Sequence, residues 1–469
     1  MLALVLAWQA PAPAIAQQTP CGSYAVAVAP QPVGHPLSDD VVRLVDASGE
    51  LARFTAAQPG MVMPSSRDGT AILRSLGGIY SLLDTASGSV MPIQIPEDEQ
   101  PLISFTLPTY DNAAISDFML FTGGPTSVWL VDLRSGQAVD LVTLLPDGGV
   151  IDSAAIAPGG KWAEFFSVDT GYLVSLETPG DPIQISADPT LPFPGFSADG
   201  GSLIYATKTD NVVEVWSRDL ASGDASFVGE TPSANYLDAA SSDAVLLIDG
   251  QSLLAFQNGF MDPSELFTWR GATLGLTGDP TGRYLLVGDD RGDDGAVWFW
   301  LDTATGTTVE LTDLEDMIPP STNDRQAAVT FLPSAQQSPG TPGTSYPSVD
   351  LATGQVSTAL TQDSTEVWTY LTGGDDAGRY TLIDAVSPGT GRMWLIDGEN
   401  GSSSQVGASS GNLAARVSPD GCQLAVAAFD TIGEGRISTV TVTSLVDGST
   451  IATVPDSLLL GWAESRPAP

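Results

Sequence analysis

The side chains of this sequence best suited to chemistry are carboxylates. The densest group is the loop Asp289-Asp-Arg-Gly-Asp-Asp-Gly295, which crowds Asp289, Asp290, Asp293 and Asp294 around two glycines. Calcium collects several carboxylate and carbonyl oxygens on a sharply bent loop, so this spacing suits a calcium ion. It departs from the twelve-residue EF-hand pattern, and a solvated hairpin accounts for the same residues. Glu97-Asp-Glu99 is a shorter acidic stretch that reads as solvated surface. Gly407-Ala-Ser-Ser-Gly411 matches the Gly-x-Ser-x-Gly elbow of serine hydrolases, a motif that needs a helix after the serine and a histidine further on. The one histidine is His35, far upstream, so the stretch reads as a polar loop. With one histidine and two cysteines, Cys21 and Cys422, the chain has no ligand cluster for zinc, haem or an iron–sulfur centre. Paired carboxylates can run glycoside hydrolysis, but 56 acidic residues leave no pair singled out.

Any such site must be positioned by the elements around it, and these repeat. Asp46-Ala-Ser-Gly49, Asp84-Thr-Ala-Ser-Gly88, Asp132-Leu-Arg-Ser-Gly136 and Glu177-Thr-Pro-Gly180 open a series of short turns. Asp219-Leu-Ala-Ser-Gly223, a degraded Asn258-Gly259, Asp302-Thr-Ala-Thr-Gly306 and Asp350-Leu-Ala-Thr-Gly354 continue it. Asp397-Gly-Glu-Asn-Gly401 and Ser444-Leu-Val-Asp-Gly448 end it. The Asp carboxylate accepts hydrogen bonds from backbone N–H groups just ahead, and Gly takes the positive φ that closes a hairpin. A second turn precedes most of these, as in Ser66-Arg-Asp-Gly69, Ser197-Ala-Asp-Gly200 and Ser418-Pro-Asp-Gly421. Apolar runs of about five residues lie between the turns, a strand pattern with no sustained helical period. The period of roughly 38–48 residues is that of four-stranded propeller blades. The expectation is an all-β chain forming a single β-propeller of about ten blades, with eight or nine as the range of error. Two smaller tandem propellers are the alternative.

These repeats resemble the WD-like propellers of the Tol-associated periplasmic type, which carry a similar Ser-Pro-Asp-Gly hairpin. The Trp-Asp dipeptide of true WD repeats is missing, and the one Gly-His is Gly34-His35. The resemblance implies a fold more than a function, because propellers host binding modules and enzymes alike.

Residues 1–16 read as a secretory signal peptide: Leu2–Trp8 is apolar and Ala14-Ile-Ala16 fits a small-residue cleavage site, although no basic residue precedes Arg43. The propeller then spans 17–469, with no later stretch apolar enough to span a bilayer. The first unit lacks one strand, and Leu458–Ala463 resembles the opening strand of a unit. The two ends therefore pair in one blade and close the ring, removing exposed sheet edges. Cys21 and Cys422 stand just before the second strand of the first and last blades, which a ring makes neighbours. An exported protein would join them in a disulfide, closing a loop worth about 5 kcal/mol on the chain-entropy model. The opposing expectation is that equivalent strands of adjacent blades stand further apart than the roughly 6 Å a disulfide allows. Ser334–Ser348, rich in Pro, Gly and Ser, reads as a loop interrupting the eighth unit. Trp129, Trp216 and Trp394 each stand three residues before the turn Asp, with Phe299 in the same register. A repeated aromatic of this kind packs between blades.

The net charge of −39, with Lys161 and Lys208 the only lysines, repels nucleic acid and anionic membranes. The leading expectation is a secreted, periplasmic or cell-surface monomer that binds a protein, peptide or glycan and is not an enzyme. The alternative is a calcium-dependent propeller hydrolase, lactonase or lyase, with calcium the one cofactor in view.

Overall fold

A computed structural model describes Cys21 and residues 24–465, except 31–39, 97–103, 106–116, 123–126, 146–148, 178–181, 187–194, 233–235, 258–262, 293–294, 319–325, 334–344, 362–367, 410–412 and single residues or pairs in other turns. Residues 1–16, His35 and the acidic stretch 97–99 lie outside the described residues. Within them the chain is all-β: antiparallel sheets of four strands occupy 104–140, 153–186, 195–231, 236–268, 272–311, 368–409 and 413–454. Between 311 and 368 the pattern loosens. Met317–Ile318 pairs with Leu332–Pro333, and Ala328–Thr330, Ser345–Asp350 and Gln355–Thr361 form a three-stranded sheet. Many small antiparallel sheets taken in chain order are the arrangement of a β-propeller. Among the described residues no helix is long and apolar enough to cross a membrane.

The repeated turns form as their chemistry requires. The N–H of Gly136 donates to Asp132 O at 2.8 Å, and the same bond joins Gly223 to Asp219 at 2.9 Å and Gly306 to Asp302 at 2.8 Å. The Asp219 carboxylate accepts from the N–H of Ser222 at 2.7 Å and of Ala221 at 3.0 Å. Those bonds from Ser222 hold its pKa below the ordinary carboxylate value. Gly354 shows why glycine closes the turn: its φ is 70°, and a Cβ there would lie 2.9 Å from the Trp300 ring. The second turn is built by its first residue. Ser197 and Ser418 accept from the N–H of Ser202 and Gln423, each at 2.9 Å, and Asp279 and Asp375 do so from Tyr284 and Tyr380 at 2.8 and 2.6 Å. Ser and Asp therefore exchange freely at this position. One turn in the series needs correction. In the sheet 153–186 the register of Asp302 is taken by Ser175, and Glu177 beyond it pairs with Lys161 at 3.4 Å.

The inner strands are apolar on both faces because sheets cover them on both sides. Tyr24–Pro30 is buried along its middle, whereas the outer strand Thr307–Leu311 is exposed except at its last residue. The core is accordingly a series of apolar layers between neighbouring sheets. One layer gathers Met63, Ile72 and Tyr80 with Met119, Phe121 and Trp129, and another gathers Phe267 and Trp269 with Leu285, Val287 and Phe299.

The last described strand pairs with the first. Ser457–Glu464 pairs antiparallel with Tyr24–Pro30 from Tyr24↔Glu464 to Pro30↔Ser457, and Gly461 bridges to Val62 in the next strand group. Arg43 Nη2 donates to Ser457 Oγ at 2.8 Å, and Ser438 Oγ donates to Ser457 O. Cys21 and Cys422 form a disulfide with Cα atoms 5.4 Å apart, across 401 residues of chain. Their registers are not equivalent. Cys422 immediately precedes the strand Gln423–Ile432, whereas Cys21 stands three residues ahead of Tyr24–Pro30.

Candidate functional site

The acidic loop is not assembled as a metal cage by the residues described. Asp289 is fully buried and faces inward. Its oxygens accept from Gly271 N at 2.9 Å, Arg270 N at 3.3 Å and Arg291 Nε at 3.0 Å. Asp290, next along the strand Tyr284–Asp290, points to the other face, is exposed and accepts from Gly292 N at 2.9 Å. Asp293 and Asp294 lie outside the described residues. Among the described residues no three metal-ligating side chains converge. Gly407-Ala-Ser409 belongs to the strand Ser402–Ser409 and forms no elbow, with residues 410–412 outside the described set.

Three of the four repeated aromatics pack against the preceding sheet, and Trp216 packs within its own. Trp129 joins Met63, Ile72 and Tyr80; Phe299 lies 4.9 Å from the Phe267 ring; and Trp394 packs on Tyr346 and Leu360. Trp216 meets Phe227 edge-on at 5.4 Å and donates its indole N–H to Thr207 Oγ1 at 3.0 Å. In the last sheet the same register belongs to Thr441. It pairs with Val426 as Trp394 pairs with Ile383, three residues into the neighbouring strand in each case.

A groove of about 750 Å³ opens at this place, between the sheets 368–409 and 413–454. One wall is the strand pair in which Thr439, Thr441 and Thr443 stand opposite Ala428, Val426 and Leu424. Alternation along a strand puts the three threonines on one face, about 7 Å apart. The other wall carries Leu395 and Val406 with the exposed Ser402, Ser404 and Gln405. The floor is thus aliphatic and the rim is hydroxyl and amide. Side chains of this length leave unfilled the volume that an indole or phenyl ring takes between other sheets.

The groove ends at a charged cluster. Arg379 grips Asp397 through two bonds, 3.3 Å from Nε and 2.9 Å from Nη2, and Nε also reaches Glu399 Oε2 at 3.2 Å. Its guanidinium lies 4.9 Å above the Tyr380 ring. Arg283, Asp302 and Tyr284 repeat this arrangement in the sheet 272–311. Burial raises the Tyr380 hydroxyl pKa, with Arg379 opposing it. Asp375, behind Tyr380, is raised to about 6 by burial, against the pull of the Tyr380 N–H. Asn400 donates to Asp397 Oδ2 at 2.8 Å. These groups order the groove's end; none of them forms a nucleophile–base pair with another.

Sequence reasoning did not single out this groove. Its signal was the Thr-Val-Thr run at a register where the preceding unit carries Trp394. A second unusual residue was also passed over. Glu164 is buried, and among the described residues Oε2 has no hydrogen-bond partner. The third position of the second strand, which it occupies, is Ile72, Ile204, Leu286 and Leu382 in other sheets, all buried. Burial alone pushes its pKa well above the ordinary carboxylate range.

No protein-family model matches the sequence, and no curated protein is significantly similar to it. Solved structures that resemble it include a eukaryotic initiation factor at 11% identity and TM-score 0.47, covering 92% of this chain and 96% of that one. An oligogalacturonate lyase in complex with manganese resembles it at 11% identity and TM-score 0.40, covering 72% and 96%. The Dos1 propeller does so at 14% identity and TM-score 0.37, covering 70% and 89%. These likenesses concern the fold alone, and one of the neighbours is itself described as a propeller. The resemblance to Tol-associated repeats stays at the level of the turns, with no family match behind it.

Proposed function

We propose that the chain is an exported β-propeller of ten four-stranded units that acts as a binding module, with the groove between its last two units as the ligand site. Ser457–Glu464 supplies the innermost strand of the first unit and so closes the ring. The irregular strands between 317 and 361 form the eighth unit. The disulfide between Cys21 and Cys422 supports export, since such bonds persist in oxidising compartments.

One observation carries the binding reading: Thr441 stands where the preceding unit places Trp394, and an open, mixed polar and apolar groove lies there. Pockets that hold ligands combine such an apolar floor with a few directed polar groups. Peptide and glycan arrays probed with the wild-type protein and with Thr441→Trp test it. Ligands captured by the wild type and lost on filling the groove support the reading. Capture that is indifferent to the substitution overturns it.

A further inference from the structure

The chain itself displays what fits the space between two of its sheets. At the register of Thr441, three other units insert Trp129, Phe299 and Trp394, each from the later sheet toward the earlier one, while Arg43, Ser81, Leu254 and Pro347 hold that register in others. The groove has the same walls and lacks the ring. Its floor, Leu395 and Val406 facing Leu424 and Val426, is continuous with the buried layer that already holds Leu382, Met393 and Val417. An aromatic group entering from outside would complete that layer as the internal rings complete theirs, burying apolar area on both faces.

Charge narrows the occupant further. Asp397, which lines the groove, and its neighbour Glu399 share one guanidinium, that of Arg379, so the cluster beside the groove keeps an excess of negative charge. Asp375 adds a further carboxyl within electrostatic reach of Arg379 and Glu399. The whole chain carries a net charge of −39. An anionic ligand is repelled both on approach and in place, and a cationic one is attracted. The serine and threonine rim offers hydroxyls on both walls, which can donate to or accept from a backbone laid between them.

We propose, building on the groove reading, that the ligand is an extended segment of a partner protein carrying an aromatic side chain next to basic residues. The ring takes the place left open at Thr441, and a basic side chain reaches Asp397 and Glu399. A glycan with no charge satisfies the rim but neither of the two features that set this groove apart.

The test is titration of the wild-type protein with three blocked tripeptide amides: Arg-Trp-Arg, Arg-Ala-Arg and Glu-Trp-Glu. The expected result is binding of the first at least about ten-fold tighter than the other two, a gap of roughly 1.4 kcal/mol. Thr441→Trp abolishes it. Ser404→Trp, which narrows the groove from its exposed opposite wall, does so independently if the first variant folds poorly. Equal binding of Arg-Trp-Arg and Arg-Ala-Arg, lost in both variants, overturns the aromatic anchor but leaves the groove as a binding site. Equal binding of Arg-Trp-Arg and Glu-Trp-Glu overturns the charge argument. Binding of the peptides unchanged in both variants overturns the groove reading itself. No binding of Arg-Trp-Arg overturns this proposal, while the array experiment still decides whether the groove holds another class of ligand.

Discussion

Thr441 in the last sheet occupies the register that Trp394 occupies in the sheet before it, each three residues ahead of the residue that opens the turn. Trp394 packs on the preceding sheet, against Tyr346 and Leu360. Thr441 lines an open groove. The same register therefore faces a filled interface in one sheet and an accessible groove in the next.

Filling the groove from within should stabilise the fold. Thr441→Trp adds buried apolar area and is expected to raise stability by about 1–3 kcal/mol, read as a higher denaturant midpoint with an unchanged slope. A loss of stability would mean that the walls cannot accept a ring there.

Glu164 should behave in the opposite sense to a stabilising carboxylate. Its folded pKa is raised by burial, so the folded state holds the proton more tightly than the unfolded state. The stability it allows is fully present below the unfolded pKa and is lost as pH rises through the folded value. Glu164→Leu, which gives this sheet the residue type that Leu286 and Leu382 supply in others, is expected to stabilise the protein at pH 8. The gain is on the order of 1–3 kcal/mol, the usual cost of a buried polar group without a partner. Near pH 4 the gain should shrink. A destabilised variant at both pH values would show that the carboxyl has a structural partner in solution.

Asp375 contributes with the same sign in a defined window. Its carboxyl rises from 3.8 to about 6 in the fold, so stability falls as pH climbs from about 4 through 6 and levels off above that. Two such units correspond to about 2–3 kcal/mol. Asp375→Asn keeps an oxygen for the Tyr380 N–H and should flatten this part of the stability profile. An unchanged profile between pH 4 and 7 would contradict the assignment.

The disulfide should tie Cys21 to the last four-stranded sheet in solution. Replacing Cys21 and Cys422 by serine removes a cross-link over 401 residues, at a cost of about 5–6 kcal/mol on the chain-entropy model. Reductant should lower the wild-type denaturation midpoint to that of the double variant and leave the variant unmoved. Equal midpoints for the oxidised wild type and the variant would show that strand pairing at Tyr24–Pro30 is sufficient.

Much of the fold was legible because its turns are chemically explicit. Asp132 with Gly136 and Asp219 with Gly223 specify a hairpin by themselves, and their repetition reports the sheet period. Pairing of the C-terminal strand with Tyr24–Pro30 followed from the strand missing at the N-terminal end. The register of Glu177 did not follow, because Ser175 fills the turn position without an acidic side chain to mark it. The groove was harder to see for a different reason. Its sign is an absence at Thr441, which means something only once the facing sheet is known. Glu164 sits within Trp-Ala-Glu-Phe-Phe-Ser, where an alternating strand would place a glutamate in solvent. Burial on both faces is a property of stacked sheets, and no local pattern in that hexapeptide declares it.

The most direct test of the binding account is amide hydrogen exchange of the wild-type protein with and without saturating blocked Arg-Trp-Arg amide. The account predicts slowed exchange in the groove walls, Ser402–Gly407 and Thr439–Leu445, with the other sheets unchanged. Slowing confined to other sheets, or none at all under conditions where the peptide is bound, would contradict it.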